Sequence, residues 1–297
     1  MYNIDNLITI IMGENVLMTL ENYKKKKEYL ICVDSDGCAM DTMDIKHFLC
    51  FGPCMVDEWQ LGQWREEILD RWNEINLFTI TRGINRFKGL AMALEEINER
   101  YMTIPGIEDL VSWAEISPEL SNAAVQREID RCPDAEIFKK ALSWSRAVNE
   151  AITALPDDKK VPFPLVREAL EFAHERADVA IVSSANLEAV LEEWEKYHLI
   201  EHTDIVLAQN VGSKAYCIAE LIKKGYDRDK VLMCGDALGD MQAAEKNGVF
   251  YYPILVKHEG DSWKEFIDEG FDRLLSGEYI GEYQSTKRKQ FLKNLGE

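Results

Sequence analysis

The sequence predicts an α/β protein with a doubly wound, mostly parallel, Rossmann-like sheet and a helical domain inserted after the first strand. From about residue 161, short apolar runs alternate with amphipathic segments, as in parallel strands joined by right-handed crossover helices. Between residues 45 and 160, apolar residues recur instead at intervals of three and four, which indicates helices. We therefore expect an N-terminal appendage at 1–17, an α/β core formed by 18–44 and 161–297, and a helical cap domain at 45–160.

The first predicted strand, Tyr29–Val33, ends in two acidic residues. Asp34 and Asp36 follow the apolar run, and Gly37 turns the chain away. Open α/β sheets carry their functional sites at the carboxyl ends of the strands, so we expect both aspartates in such a site. The basic run Lys24–Lys27 before the strand is interpreted as a solvated lead-in.

Two connections are predicted to join the helical insert to the core. One is the loop from Gly37 to Asp44, and the other is the segment 156–164, which has three prolines and four charges in nine residues. Two neighbouring linkers are what a hinged lid requires. Within the insert, Ser117-Pro118 predicts the start of a helix. The polar tail beyond Tyr279 is expected to be loosely attached.

Composition and charge argue against several classes of function. The 297 residues carry a formal net charge of −19, so the chain gains no counterion-release affinity for nucleic acid. No apolar run approaches the ~20 residues of a membrane span. Residues 1–17 lack a basic leader and a cleavage site, so they do not resemble a signal peptide. Seven cysteines without a C-x-x-C pair favour reduced thiols, and we expect a cytoplasmic protein.

Later strands also end in polar residues. Ser183 and Ser184 follow the strand at Val179, and a serine hydroxyl at a helix start can hold phosphate oxygens with the helix N–H groups. Lys214 opens a helix after Gly212-Ser213 and offers a positive charge to the same group.

A second pair of aspartates, Asp236 and Asp240, follows the strand at Val231. A parallel sheet can bring this pair beside Asp34 and Asp36. Four carboxylates cannot all stay ionised close together without a cation. A set of oxygen ligands without histidine or cysteine suits Mg²⁺.

The order D-x-D-G, strand-serine, lysine and G-D-x-x-x-D resembles the haloacid dehalogenase-like (HAD) superfamily of phosphohydrolases, and the helical insert looks like that family's cap domain. The resemblance implies that Asp34 is the nucleophile, forming an aspartyl-phosphate, and that Asp36 is the general acid and then the base. It implies that Ser184, with Ser183 as an adjacent competitor, binds phosphate and that Lys214 steadies the phosphoryl charge. The metal ligands that it implies are Asp34, the Asp36 carbonyl, Asp236 and Asp240.

Asp36 separates two branches of this family. The dehalogenase branch lacks an acid two residues after its nucleophile because a halide needs no proton, so Asp36 favours phosphoryl transfer. Cys38 is a departure, since many relatives have threonine there.

The cap is expected to choose the substrate. Its loop 81–89 could present cations and an amide to an anionic substrate; the alternative is a loop of solvated charges before a helix. The residues concerned are Arg82, Asn85, Arg86 and Lys88.

The sequence therefore predicts a Mg²⁺-dependent phosphatase of a small phosphorylated metabolite. A phosphomutase or a phosphonate-cleaving relative, with Lys88 as a Schiff-base lysine, is the alternative within the same chemistry. A catalytically inactive phosphate- or Mg²⁺-binding regulatory protein is the alternative of another class. No nucleic-acid or membrane partner is expected, and the substrate and oligomeric state stay open.

Overall fold

The computed structural model of the chain describes residues 11–12, 15–16 and 19–297. The predicted appendage at 1–17 lies outside the described residues, apart from two short strands. These strands, β1 (Ile11–Met12) and β2 (Asn15–Val16), pair antiparallel.

The main sheet has five parallel strands among the described residues. They are β3 (Tyr29–Val33), β6 (Ala177–Val182), β7 (Ile205–Leu207), β8 (Val231–Gly235) and β9 (Phe250–Pro253), and their order in the sheet is β7-β6-β3-β8-β9. The central strand β3 (Tyr29–Val33) pairs with β6 on one side and β8 on the other. Its residues are apolar and almost wholly buried, as expected for a strand covered on both faces. The predicted parallel α/β fold is confirmed.

Helices alternate with these strands and place polar residues at the strand ends. The helices of this part of the chain are α8 (Val166–His174), α9 (Leu187–Lys196), α10 (Lys214–Ile222), α11 (Leu238–Asn247), α12 (Glu259–Glu265), α13 (Phe271–Ser276) and α14 (Glu282–Asn294). Among the described residues, no helix is both long and apolar enough to cross a membrane.

The chain divides into two compact units. The first comprises residues up to Met40, Pro162–Asp236 and Asp240–Phe291, and contains the parallel sheet. The second comprises Asp41–Val161 with two short segments, Ala237–Gly239 and Leu292–Glu297. The predicted division at 44/45 and 160/161, and the role of the helical unit as a cap, stay predictions.

The second unit is helical, with a core of interlocked aromatic rings. Trp144 lies near its centre, and its ring packs against Phe51, Trp72 and Phe87 at centroid distances of 6.0–6.1 Å. The helices are α1 (Met43–Lys46), α2 (Gly52–Glu58), α3 (Arg65–Asn73), α4 (Arg86–Arg100), α5 (Ile107–Ile116), α6 (Asn122–Arg131) and α7 (Glu136–Thr153).

The prediction that Ser117-Pro118 starts a helix is wrong. Helix α5 ends at Ile116, and α6 begins at Asn122. The cap of α6 is Ser121, whose Oγ accepts a hydrogen bond from the Ala124 N–H at 3.1 Å. Ser117 and Ser121 are both candidate caps by their position in the sequence. The hydrogen bond identifies Ser121 as the cap, and sequence spacing does not reveal that bond.

The two predicted connections meet in a small sheet. Strand β4 (Met40–Asp41) belongs to the first connection and β5 (Val161–Pro162) to the second, and these two strands pair with each other. The Phe163 N–H also donates to the Ala39 carbonyl at 3.0 Å.

The amino end of the main sheet contains a buried polar network around Asp178, which is 0% exposed. Its Oδ2 accepts hydrogen bonds from the backbone N–H groups of Lys26 and Lys27, at 2.8 and 3.0 Å, and from the hydroxyl of Tyr226. The Tyr226 hydroxyl also lies 2.6 Å from that of Tyr23.

A second carboxylate, Asp204, lies at the same end. It accepts from the Val179 N–H at 2.9 Å and pairs with Lys26 at 2.8 Å and His174 at 3.1 Å. The interpretation of Lys24–Lys27 as a solvated lead-in is therefore wrong in part. The partners that fix these lysines are distant in the chain, so no local pattern reveals them.

The expectation of a loosely attached tail is also wrong. Residues beyond Tyr279 form α14, and its Phe291 is 0% exposed. The Phe291 ring packs edge-on against Tyr251 with centroids 5.2 Å apart. Phe291 is the one buried apolar residue of this helix, and a single such residue is too little for a periodicity argument to detect.

Candidate active site

The loop after β3 holds Asp34 at the carboxyl end of the sheet. The Asp34 N–H donates to the Cys234 carbonyl on β8 at 3.0 Å, so the strand pairing continues to the aspartate itself. The Ser35 N–H donates to Asp34 Oδ1 at 2.8 Å, which fixes the carboxylate. Gly37 then turns the chain with φ +82°, a conformation that a side chain disfavours. Asp36 lies in this turn and is half-buried.

Asp236 and Asp240 come from the neighbouring strand β8 and the first turn of α11. Both are buried, at 1% and 0% exposure. Their approach requires a glycine before them, because a Cβ on Gly235 would lie 2.3 Å from the Asp240 Cγ. The Gly235 carbonyl accepts from the Tyr251 hydroxyl and the Ile254 N–H, both at 2.8 Å, which fixes this turn from the side of β9.

Lys214 joins the two acidic turns. It is the first residue of α10, whose start is capped by the Ser213 hydroxyl. Its Nζ lies 2.7 Å from Asp34 Oδ2 and 2.6 Å from Asp240 Oδ1. One ammonium thus bridges two buried carboxylates from different strands.

The close approach of these acids shifts the pKa values of Asp34 and Lys214. Burial raises the pKa of the Asp34 carboxyl to about 7, and the Asp240 carboxylate adds to the rise, although the Lys214 ammonium acts against it. Burial alone would lower the pKa of Lys214, but the attraction of Asp240 and Asp34 outweighs it and raises that pKa. The lysine therefore stays charged, and the cluster favours a further positive charge.

The donor set fits a hard divalent cation. Asp34, Asp236 and Asp240 each offer a carboxylate oxygen, and these oxygens lie within 4.8 Å of one another. Ligands on opposite sides of an octahedral ion with ~2.1 Å bonds are about 4.2 Å apart, so a small rearrangement would suffice. The carboxylate of Asp36 is not in this group, and a contribution of the Asp36 carbonyl stays a prediction.

The two serines after β6 differ in their surroundings. Ser183 is 3% exposed, and its Oγ accepts from the Ala185 N–H at 3.1 Å. Ser184 is exposed and lies just before α9, whose N-terminus is capped by Asn186. An Oγ that accepts one hydrogen bond can still donate its own proton, so which of the two serines binds a phosphoryl oxygen stays a prediction.

Part of the chain matches the model of a known protein family. Residues 116–253 match the model described as haloacid dehalogenase-like hydrolase. The matched part includes Ser184, Lys214, Asp236 and Asp240, and Asp34 precedes it. Over this part, the chain is similar to the haloacid dehalogenase-like hydrolases. The recognition from the motif order and the prediction of a hydrolase are confirmed.

Solved structures of HAD-like proteins resemble the chain at low sequence identity. A Streptococcus pneumoniae family hydrolase is 12% identical, with 80% of this chain and 90% of that chain covered and a TM-score of 0.42. A Lactobacillus delbrueckii protein, provisionally named a phosphoglycolate phosphatase, is 18% identical, with 76% and 85% covered and a TM-score of 0.46. A Thermotoga maritima protein, provisionally named a β-phosphoglucomutase, is 16% identical, with 82% and 99% covered and a TM-score of 0.43. The search of curated proteins found no match.

The predicted substrate loop has several partners inside the helical unit. Arg82 is 2% exposed, donates to the Leu77 carbonyl at 2.9 Å and lies 3.6 Å from the Asp44 carboxylate. The Asn85 side chain caps α4 by accepting from the Phe87 N–H at 2.9 Å.

The other two cations of this loop differ from each other. Arg86 donates to Asn149 Oδ1 at 2.7 Å and to Ser145 Oγ at 3.0 Å, and it lies over the Phe51 ring. Lys88 is exposed. A role of any of these four residues in substrate binding stays a prediction.

Ser35 and Trp194 are two site neighbours that the sequence did not single out. Both are 0% exposed, and the Trp194 indole N–H donates to the Ser35 hydroxyl oxygen at 2.9 Å. Serine between the two aspartates was a visible signal, but its partner lies 159 positions away. No local spacing could have identified it.

Proposed function

We propose that the chain is a Mg²⁺-dependent phosphohydrolase that removes the phosphoryl group of a small phosphorylated metabolite through an aspartyl-phosphate on Asp34. The observation that carries the proposal is the position of Lys214 Nζ, within 2.7 Å of both Asp34 and Asp240. A buried carboxylate held beside an ammonium and two further acids is suited to attack an anionic phosphorus centre once the negative charge is offset.

In the first half-reaction, an Asp34 oxygen forms a bond to phosphorus and the bond from phosphorus to the substrate oxygen breaks. Asp36 gives its proton to that leaving oxygen. The Ser184 hydroxyl binds a phosphoryl oxygen at the start of α9, where backbone N–H groups favour an anion. Lys214 offsets charge on the transferred group.

In the second half-reaction, Asp36 takes a proton from a water molecule as its oxygen attacks the phosphorus. The bond between phosphorus and Asp34 breaks, which releases inorganic phosphate and restores the carboxylate. Asp34, the Asp36 carbonyl, Asp236 and Asp240 would hold Mg²⁺. When bound, the ion supplies charge neutralisation for the carboxylate and the phosphoryl oxygens.

Phosphate release from a panel of phosphorylated metabolites, with and without Mg²⁺, tests the proposal. We expect Mg²⁺-dependent turnover of at least one metabolite and a loss of at least about a thousandfold in kcat for Asp34→Asn. Asp261→Asn is the matched control, because that carboxylate is 85% exposed on α12. If the wild type hydrolyses nothing, or Asp34→Asn keeps its activity, the proposal is wrong.

The products distinguish the alternatives of the same chemistry. A phosphomutase would return the phosphoryl group to an isomer of the substrate without stoichiometric phosphate release. A phosphonate-cleaving enzyme that uses Lys88 would be inactivated by borohydride in the presence of substrate, and Lys88→Arg would prevent this. Binding of phosphate and Mg²⁺ without turnover would identify a regulatory protein.

We also propose that the loop 81–89 contributes to substrate choice, mainly through Lys88. Its exposure supports this, whereas Arg82 and Arg86 have partners that hold the helical unit together. Lys88→Ala should raise the KM for the preferred metabolite several-fold and leave kcat nearly unchanged. Lys139→Ala is the control, as that lysine is exposed on α7. An unchanged KM in Lys88→Ala would remove Lys88 from recognition.

A further inference from the structure

Ser35 organises the turn that follows the nucleophile. Its carbonyl accepts hydrogen bonds from the N–H groups of Ala39 and Met40, at 2.9 and 2.8 Å, and from that of Cys38 at 3.3 Å. Its own N–H donates to Asp34 Oδ1 at 2.8 Å. The backbone of this one buried residue therefore sets both the shape of the turn and the direction of the Asp34 carboxylate.

The Ser35 side chain has a partner on a different element. Trp194, near the end of α9, donates its indole N–H to the Ser35 Oγ at 2.9 Å, and both residues are 0% exposed. Such a bond in a water-excluded environment is directional and costly to leave unmade. It restrains the side chain of Ser35, and through it the backbone N–H that orients Asp34.

Helix α9 has a second role at its other end. Ser184, the proposed phosphate ligand, lies just before it, and Trp194 lies about two turns beyond the helix start. The helix therefore carries the group that holds the nucleophile loop, and it begins directly after the group proposed to bind the phosphoryl oxygen. A fixed distance between these two parts favours a near-attack arrangement of Asp34 and phosphorus.

We propose that Trp194 is a positioning residue, which orients the nucleophile Asp34 through its hydrogen bond to Ser35. This inference rests on the proposed function. Loss of the indole N–H should lower kcat about tenfold through misplacement of Asp34. KM should change less than about twofold, because the phosphate contacts are unchanged.

A double-mutant cycle tests the proposal with the best metabolite of the panel. Ser35→Ala removes the acceptor with a small change of volume, and Trp194→Phe removes the donor. We expect each single variant to lose about tenfold in kcat, and the double variant to lose no more than the larger single effect. Losses that multiply, or an unchanged kcat in Trp194→Phe, would overturn the proposal. If Trp194→Phe does not fold, an unchanged kcat in Ser35→Ala overturns it alone.

Trp144→Phe is the matched control. Trp144 is also 0% exposed, and its indole N–H donates to the Phe51 carbonyl at 3.1 Å, but within the helical unit. It should lose stability by a similar amount and keep kcat within about twofold. An equal loss of kcat in Trp144→Phe would mean that the effect of Trp194 is general destabilisation.

Two readouts do not depend on turnover. In metal-free protein, the Ser35 amide proton should shift upfield in Trp194→Phe, as its bond to Asp34 loosens. Beryllium trifluoride with Mg²⁺ mimics a phosphoryl group on a carboxylate. Its affinity for Trp194→Phe should be about tenfold lower than its affinity for the wild type. If the wild type lacks turnover, the proposed function fails, and these two measurements still decide whether Trp194 positions Asp34; no change in both would refute it.

Discussion

Both ends of the parallel sheet bury carboxylates, but the groups that surround these carboxylates differ between the two ends. At the amino end, Asp178 and Asp204 accept hydrogen bonds from donors that the fold supplies, including backbone N–H groups and Tyr226. At the carboxyl end, Asp34 and Asp240 lie close to Asp236 and share a lysine.

The pKa shifts have opposite directions at the two ends. Burial would raise the pKa of Asp204, but hydrogen bonds from His174 and Lys26 outweigh it and lower that pKa below its ordinary value. Burial and the Asp240 carboxylate raise the pKa of Asp34 to about 7. A buried aspartate is therefore not in itself a sign of function. What distinguishes the site is that its nearest charged neighbours include other acids.

The largest expected difference between the ends is in activity. Asp240→Asn should lower kcat/KM about a hundred- to a thousandfold, because it removes a metal ligand and a partner of Lys214. The metal-free variant should lose less than about 1 kcal/mol of unfolding free energy, since one like charge has left the cluster. Steady-state kinetics and urea unfolding measure both quantities. If Asp240→Asn lost much stability and little activity, the carboxyl end would not be the functional end of the sheet.

Asp178→Asn should show the converse behaviour. The change weakens the acceptor for two backbone N–H groups and for Tyr226, and we expect a loss of about 2–3 kcal/mol of unfolding free energy. The kcat of the folded variant should stay within about twofold of the wild type. Both quantities are measured below the melting temperature of the variant. A stable but inactive variant would contradict a purely structural role of Asp178.

Mg²⁺ should stabilise the protein through the carboxyl end only. At a hundred times its Kd, a ligand that binds only the folded state adds about 2.7 kcal/mol, and thermal unfolding should show a corresponding rise in Tm. The rise should persist in Asp178→Asn and vanish in Asp240→Asn. Equal stabilisation of the two variants would place the ion elsewhere.

The smallest effect expected is a pH-dependent one at the amino end. The pKa of Asp204 is lower in the folded than in the unfolded chain, so its contribution is complete above the ordinary carboxyl pKa of 3.8 and is lost as the pH falls towards the folded value. Asp204→Asn should therefore cost about 1–2 kcal/mol at pH 7 and less at pH 3. Urea unfolding at both pH values tests this, and a difference independent of pH would exclude the ionic contribution.

Much of the site could be predicted because each of its acidic turns is a local pattern. Asp34 and Asp36 directly follow a buried strand, and Asp236 follows another, so the rule that parallel strands end at one edge brings them together. Lys214 could be named from the motif order, although its bridging position depends on the packing of α10.

What could not be predicted depends on partners far apart in the chain. The hydrogen bonds of Lys26 with Asp178 and of Trp194 with Ser35 join segments separated by more than 150 positions. Neither bond leaves a periodic pattern. The substrate loop shows a related limit, since the sequence shows the charge of Arg82 but not the Leu77 carbonyl and Asp44 that it contacts.

The C-terminal helix α14 makes the active site sensitive to damage at a distance. Phe291 packs on Tyr251, and the Tyr251 hydroxyl holds the Gly235 carbonyl next to Asp236. Loss of α14 would remove none of the acidic residues, and yet it would uncover that tyrosine and loosen the turn that carries two of them.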